Sequence, residues 1–287
     1  MNRSQRHHLN VAALSHSGMV GKNNEDRYAV SSYTNDENKP VVFAVVSDGI
    51  GGHRAGEVAA ELAVNYIIEK ISESNGRSPL TIMEDAIHTA SQAIASRSAS
   101  KVDQHGMGAT CACAWVVGQK LFMAHVGDSR VYLIREGQIR RLTVDHTWVQ
   151  EAIEKGILSP EDARDHPNVH VIRRYLGSLH LPEVDFRLFL EDGENDQEAV
   201  DNQGFELEPG DSLLLCTDGL TDLVWDDEIL RTIRSKPNIK AAVEALVEMA
   251  NQRGGHDNIT VVMMSVPYKE KAPEKKKNFL DWLLGED

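Results

Sequence analysis

The stretch Val41-Val-Phe-Ala-Val-Val-Ser-Asp-Gly-Ile-Gly-Gly-His53 decides how this 287-residue chain is read. Val41 to Val46 is apolar without a break, and Lys39-Pro40 bounds it upstream. A short apolar run between turn residues is the signature of a buried strand. Three glycines between Gly49 and Gly52 then break regular structure, because glycine reaches backbone angles that other residues resist. Asp48 stands at the junction of strand and loop. The same junction recurs along the chain. Asp218 follows Leu213-Leu-Leu-Cys-Thr217, Asp128 follows His125-Val-Gly127, and Asp257 precedes Asn258-Ile-Thr-Val-Val262. Glu25-Asp26 lies between two strand-like stretches. One aspartate at a strand end is ordinarily a turn residue or a helix cap. A set of them points elsewhere, because carboxylates are rarely buried unless paired or bound to a cation. Hard oxygen donors without a histidine–cysteine cluster favour Mg²⁺ or Mn²⁺ over zinc.

Around this frame the patterning alternates between strands and helices. Residues 11–34 read as strand, polar turn, strand. Helical periodicity runs from Glu57 to Ser72, with Val58, Leu62, Ile67 and Ile71 on one face, and again from Pro79 to Ser98. Short strands are predicted over 109–117, 121–126, 130–135, 138–142, 184–190, 212–216 and 258–266. Helices are predicted over 226–235 and 238–252, and 145–180 is less regular. No linker interrupts residues 11–266. The expected organisation is one domain over 1–267, then a lysine-rich linker and a short apolar tail over 268–287.

Lysine and arginine total 30 and aspartate and glutamate 44, a formal net charge of −14. Nucleic acid and anionic membrane surfaces need a basic face, so both are excluded as expected partners. Residues 191–211 alone hold nine acids and no lysine or arginine. An EF-hand reading of this segment fails, since Gln197 and Gln203 occupy the glycine and bidentate-acid positions. A solvated surface hairpin or loop is expected instead. The three cysteines, Cys111, Cys113 and Cys216, do not make a disulfide framework, and Cys111 and Cys113 read as same-face residues of one strand. Residues 1–10 lack the apolar core of a signal peptide, and no apolar run approaches the ~20 residues that span a bilayer. The expected location is the cytoplasm.

Taken in order, the motifs resemble the metal-dependent protein serine/threonine phosphatases of the type 2C family, in their bacterial form. They are Asn24-Glu-Asp26; Asp48-Gly-Ile-Gly-Gly-His53 with Gly56; Gly106-Met-Gly-Ala-Thr110; Val126-Gly-Asp-Ser-Arg130; Leu142-Thr-Val-Asp-His146; Leu176-Gly177; Gly210-Asp211 leading to Cys216-Thr-Asp-Gly-Leu220; and Asp257-Asn-Ile-Thr260. The resemblance implies an α+β fold, a four-layer α-β-β-α sandwich of two antiparallel sheets flanked by helices. It implies hydrolysis of phosphoserine and phosphothreonine in proteins by a water activated between two divalent metals, Mn²⁺ or Mg²⁺. By position, Asp48 would bridge the two ions, Asp218 and Asp257 would complete the first, and the Gly49 carbonyl would bind the second. Glu25 and Asp26 would hold metal-bound waters, and Asp128 would help hold a third ion. His53 would protonate the leaving alkoxide. The implied partners are phosphorylated proteins and a serine/threonine kinase with its substrates, met by a monomer.

The chain departs from the family at Gly21, where an arginine normally binds the substrate phosphate. Lysine is not an equivalent replacement for a bidentate arginine. Lys22, Arg27 and Arg54 are the cations placed to contribute instead. This departure keeps an alternative in view, a catalytically weak pseudo-phosphatase or phosphoprotein-binding module. In the tail, Leu280, Leu283 and Leu284 share a helical face with Phe279 close by, which predicts a short helix that must dock on something.

Overall fold

Strand residues 40–47 show why the chain layers. Val41, Phe43 and Val45 enter one apolar cluster and Val42, Ala44 and Val46 enter another, all without solvent exposure. Successive side chains of a strand point to opposite faces, so a run that is apolar at every position must be covered on both. The computed structural model describes residues 1–51, 54–163 and 166–268. The predicted tail helix and His53 therefore lie outside the described residues.

The elements follow in order. They begin with β1 (Asn2–Arg3), β2 (Asn10–His16), β3 (Arg27–Thr34), β4 (Pro40–Ser47) and β5 (Gly49–Ile50). Helices α1 (Arg54–Glu73) and α2 (Pro79–Ser100) come next. Then come β6 (Gly108–Ala109), β7 (Cys111–Val117), β8 (Lys120–Val126), β9 (Arg130–Arg135) and β10 (Gln138–Arg141). Short helices α3 (Trp148–Glu154), α4 (Pro160–Ala163) and α5 (Asp196–Asp201) precede β11 (Phe205–Glu206) and β12 (Ser212–Cys216). The described chain closes with α6 (Asp218–Thr221), α7 (Asp226–Ser235), α8 (Ile239–Gln252) and β13 (Ile259–Ser265).

One sheet has the order β1-β3-β4-β7-β8-β11 and the other β10-β9-β12-β13-β2, every pairing antiparallel. Their facing sides bury Ala112, Ala114 and Val116 of β7 against Val131, Leu133, Leu213, Leu215 and Val262. On the outer face of the first sheet, α1 and α2 pack on Phe43, Cys111, Cys113 and Trp115. On the outer face of the second, α7 and α8 pack on Tyr132, Leu214, Cys216, Val261 and Met263. The result is the four-layer α-β-β-α sandwich, with Cys111 and Cys113 on one face of β7 as expected.

Three expectations need correction. The buried face of α1 centres on Ala59, Ala63, Ile67 and Ile71, with Val58 and Leu62 half-buried at its edge. Small alanines let α1 lie close to the sheet and α2. Residues 184–190 form no strand. They make a single bridge, Asp185 to His125, and then turn because the Asp185 carboxylate accepts the Arg187 N–H at 2.9 Å. Residues 191–211 are not a plain loop. They contain α5, opened by a capping box in which Asn195 and Glu198 exchange side-chain and backbone bonds, and β11 on the sheet edge.

Candidate metal centre

The strand ends deliver the carboxylates to one end of the sandwich. Asp48 leaves β4, and two bonds tie it to Thr110, the residue between β6 and β7: its N–H donates to the Thr110 hydroxyl at 2.9 Å, and its carbonyl accepts the Thr110 N–H at 2.8 Å. Gly49 and Ile50 then pair with β6. Asp218 opens α6 where β12 stops, and Asp257 precedes β13, the neighbour of β12. Asp26 precedes β3 and accepts a bond from Thr217 Oγ1 at 2.8 Å, so the residue before Asp218 orients it. Asn258 fastens the loop carrying Glu25. Its Oδ1 accepts the Glu25 N–H at 2.7 Å, and its Nδ2 donates to the Ser17 and Asn23 carbonyls.

Glycine is required at the point of closest approach. A Cβ on Gly49 would lie 2.1 Å from the Gly56 carbonyl oxygen, and one on Gly56 would lie 2.5 Å from Glu25 Oε2. The start of α1, the Asp48 loop and the Glu25 carboxylate therefore share a space with no room for a side chain.

Electrostatics make the cluster costly as it stands. Burial, then the nearby charges of Asp218 and Asp257, push Asp26 up to about 7 against the hydrogen bonds of Thr260 and Thr217. Burial, then Asp257, raise Glu25 to about 7. Burial, then Asp222 and Asp257, raise Asp218 to about 6. Asp48 and Asp128 are driven well above the usual carboxylate range, by burial first and neighbouring aspartates next. Among the described residues, Asp26 Oδ1, Asp128 Oδ1 and Asp218 Oδ1 are buried without a hydrogen-bond partner. Buried oxygens left unpaired among like charges are what a divalent cation satisfies, and an all-carboxylate donor set suits Mg²⁺ or Mn²⁺. The residues fit the metals that the motifs imply.

The cations around the centre differ in how they are held. Lys22 Nζ is exposed, 3.7 Å from Asp257 Oδ2. Arg27 is bound inward: Nη1 donates to the Asn24 and Asp26 carbonyls, and Nη2 to Glu57 at 2.6 Å. Its guanidinium braces the Glu25–Asp26 turn, which leaves less of it for a phosphate. Arg54 lies at the start of α1.

A groove of about 850 Å³ runs from Asp128 and Asp218 past His170, Val149, Ile153 and Trp225. Residues that the motif reading did not pick line the centre as well. Asp222 follows Asp218 by one helical turn, and His170 Nδ1 lies 3.9 Å from Asp218 and 3.6 Å from Asp222. The i, i+4 spacing of the two aspartates was the available signal for Asp222. Asn258, Thr217 and Thr260 sat inside quoted motifs but are not ligand types. Nothing in the sequence alone points to His170.

Comparison with known proteins agrees with this geometry. The family model described as protein phosphatase 2C matches residues 15–263. A serine/threonine phosphatase of Listeria monocytogenes is 33% identical over 259 residues, 89% of this chain and 95% of that protein. The crystal structure of the Mycobacterium tuberculosis serine/threonine phosphatase PstP superposes with a TM-score of 0.75 at 33% identity, covering 91% of this chain and 99% of that one. The PstP catalytic domain solved with two manganese ions gives 0.72 at 32% identity, over 90% of this chain and 97% of that one. A sandwich that gathers strand-end carboxylates, matched along nearly its whole length, places this chain in the protein phosphatase 2C family, the metal-dependent serine/threonine protein phosphatases.

Proposed function

We propose that the acidic end of the sandwich is where this phosphatase hydrolyses phosphoserine and phosphothreonine in proteins. The observation that carries the reading is the set of three buried, unpartnered carboxylate oxygens on Asp26, Asp128 and Asp218. Asp48, Asp218 and Asp257, with the Gly49 carbonyl, would hold two divalent metals, Mn²⁺ or Mg²⁺. Glu25 and Asp26 would orient their waters, and Asp128 would hold a third ion. Bound there, divalent cations supply Lewis acidity and offset the negative charge of a phosphate monoester. Lys22 supplies an exposed positive charge at the rim, where the family's arginine is missing. The acid for the leaving alkoxide is assigned to His53 on sequence grounds.

The groove beside Asp128 and Asp218, about 850 Å³, would receive a peptide segment of the substrate. The activity opposes a serine/threonine kinase acting on the same proteins. Three buried, unpaired cysteines suit a reducing compartment, so the cytoplasm is the proposed location. Among the described residues no helix is long and apolar enough to cross a membrane. We assign catalysis to residues 1–267 acting as a monomer, with 268–287 dispensable for small phosphoesters. The retained carboxylates weigh against a pseudo-phosphatase. The test is Mn²⁺-dependent turnover of p-nitrophenyl phosphate and of a phosphothreonine peptide. Turnover of both is expected; bound Mn²⁺ without turnover of either would overturn the reading.

A further inference from the structure

Behind the carboxylates lies a buried histidine pair that the motif chemistry leaves without a role. His125 of β8 and His146 stack with ring centroids 4.7 Å apart and planes 7° from parallel. His146 Nε2 lies 3.1 Å from Asp185 Oδ2. Arg187 grips Asp185 in turn, Nε to Oδ1 at 3.0 Å and Nη2 to Oδ2 at 2.6 Å. His125, His146 and Asp185 are close enough to suggest a second metal site, but their hydrogen bonds rule it out. His125 Nε2 donates to the Val144 carbonyl at 2.8 Å, so that nitrogen carries a proton. His146 Nδ1 accepts the Gly127 N–H at 3.0 Å, so the proton of this ring sits on Nε2, facing Asp185. Neither nitrogen on the Asp185 side has a lone pair for a cation.

What His146 holds is the Gly127 backbone. The His146 backbone N–H donates to the Gly127 carbonyl at 3.0 Å while the His146 ring accepts the Gly127 N–H, so both ends of one residue are fixed by another. Gly127 has φ +109°, and a Cβ there would lie 2.6 Å from Thr110 Cγ2. That region of backbone space favours glycine, so the residue has neither room nor an easy alternative conformation. The next residue is Asp128, 7% exposed with Oδ1 unpartnered. Thr110, against which Gly127 packs, is the residue whose hydroxyl takes the Asp48 N–H.

We propose that His146 is a positioning residue for Asp128. Its ring, accepting at Nδ1 and braced at Nε2 by Asp185 and Arg187, fixes the Gly127 backbone and so the direction from which the Asp128 carboxylate meets a divalent cation. The inference rests on the assignment of Asp128 to the metal centre. Partners that orient a metal site from outside its ligands are worth on the order of 10–100-fold in affinity.

The side-chain geometry supplies the test. His146→Asn puts an amide oxygen where Nδ1 accepts the Gly127 N–H, whereas His146→Gln puts its head group where Nε2 meets Asp185. Mn²⁺ binding is measured by titration calorimetry, alongside the Mn²⁺ concentration for half-maximal turnover and KM for p-nitrophenyl phosphate. His146→Gln is expected to weaken the weakest Mn²⁺ site on the order of tenfold, with KM at saturating Mn²⁺ unchanged. His146→Asn is expected to bind Mn²⁺ near wild type. Equal losses in both variants, or wild-type Mn²⁺ binding by His146→Gln, overturn the proposal. Asp128→Asn separates it from its premise. If Asp128→Asn loses a site and His146→Gln does not, positioning fails alone; if Asp128→Asn binds like wild type, the metal role of Asp128 fails. Should His146→Gln not fold, Asp185→Asn, which removes the carboxylate that Arg187 and His146 Nε2 share and so loosens the ring, is expected to weaken the same site, and unchanged binding overturns the proposal.

Discussion

Two acidic regions of this molecule are built from the same side chains and treated in opposite ways. In residues 191–211 the carboxylates are fastened. Asp192 meets Arg140 at 2.8 Å, Asp196 meets Arg187 at 3.0 Å, and Arg135 grips Asp211. Glu194 accepts the Leu190 N–H and the Asn202 amide, which together hold it below the usual carboxylate range against some desolvation. At the end of the sandwich, Asp26, Asp128 and Asp218 each leave a buried oxygen unpartnered, and burial with mutual repulsion raises their pKa values. The segment with the denser charge is the one with its chemistry already satisfied. Acid count therefore does not point to a metal site; buried carboxylate oxygens left without partners among like charges do.

The sharpest way to break this contrast is to remove one carboxylate from each region. Asp48→Asn and Asp218→Asn are expected to lower Mn²⁺-dependent turnover of p-nitrophenyl phosphate by several orders of magnitude. With metal removed by chelator, the same variants should melt at a higher temperature than wild type, because a mutually repelling charge has gone. Asp192→Asn, on an exposed ion pair, should leave turnover unchanged and stability within about 0.5 kcal/mol. Wild-type turnover in Asp48→Asn or Asp218→Asn would sink the assignment.

The pH dependence of the metal-free protein comes next in size. Folding raises Asp26 and Glu25 to about 7 and Asp218 to about 6. The folded state thus keeps protons that the unfolded chain releases near pH 4. A raised carboxyl contributes stability at low pH and loses it as pH climbs through the folded value, at about 1.4 kcal/mol for each pH unit that separates the folded from the unfolded pKa. Thermal unfolding in chelator should therefore show Tm falling from pH 5 to pH 8. Added Mn²⁺ should raise Tm more at pH 8 than at pH 5, since it binds the ionised form. A flat metal-free profile between pH 5 and 8 would mean that the carboxylates do not crowd each other as described.

The fastened region has its own, smaller signature. Asp211 is 3% exposed, takes two guanidinium bonds from Arg135 and also accepts the Glu208 N–H at 2.7 Å. Asp211→Ala is expected to cost about 1–3 kcal/mol in chemical denaturation, with Mn²⁺ affinity unchanged. A shift in Mn²⁺ affinity would show that the two regions are coupled.

What the sequence could reveal follows the same division. Asp48, Asp128, Asp218 and Asp257 were legible because each stands at the edge of an apolar run, and the unbroken runs of β4 and β12 made those edges visible. The partners that aim the carboxylates were not, because Thr110, Thr217 and Asn258 acquire their roles only when distant strands pair. The helix at 196–201 was masked by its charge, although Asn195 and Glu198 spell a capping box. The 184–190 run read as a strand because apolar alternation cannot show that Asp185 will turn the backbone back onto Arg187.

Gly21 carries the smallest expected effect and separates backbone from side chain. It has φ +74°, and a Cβ there would meet no atom of the described residues within 4 Å. A side chain has room, yet the backbone sits in the left-handed region, at a cost of about 1–2 kcal/mol for other residues. Gly21→Ala isolates that cost; Gly21→Arg adds a guanidinium able to fork onto phosphate. Both variants should lose similar stability, and only the arginine should lower KM for p-nitrophenyl phosphate. If Lys22 serves as the phosphate cation in its place, Lys22→Met should raise KM in the wild-type background and raise it less beside Arg at 21. Equal KM in the alanine and arginine variants would mean that position 21 does not face the substrate, and the missing arginine would then be a difference without a consequence for binding.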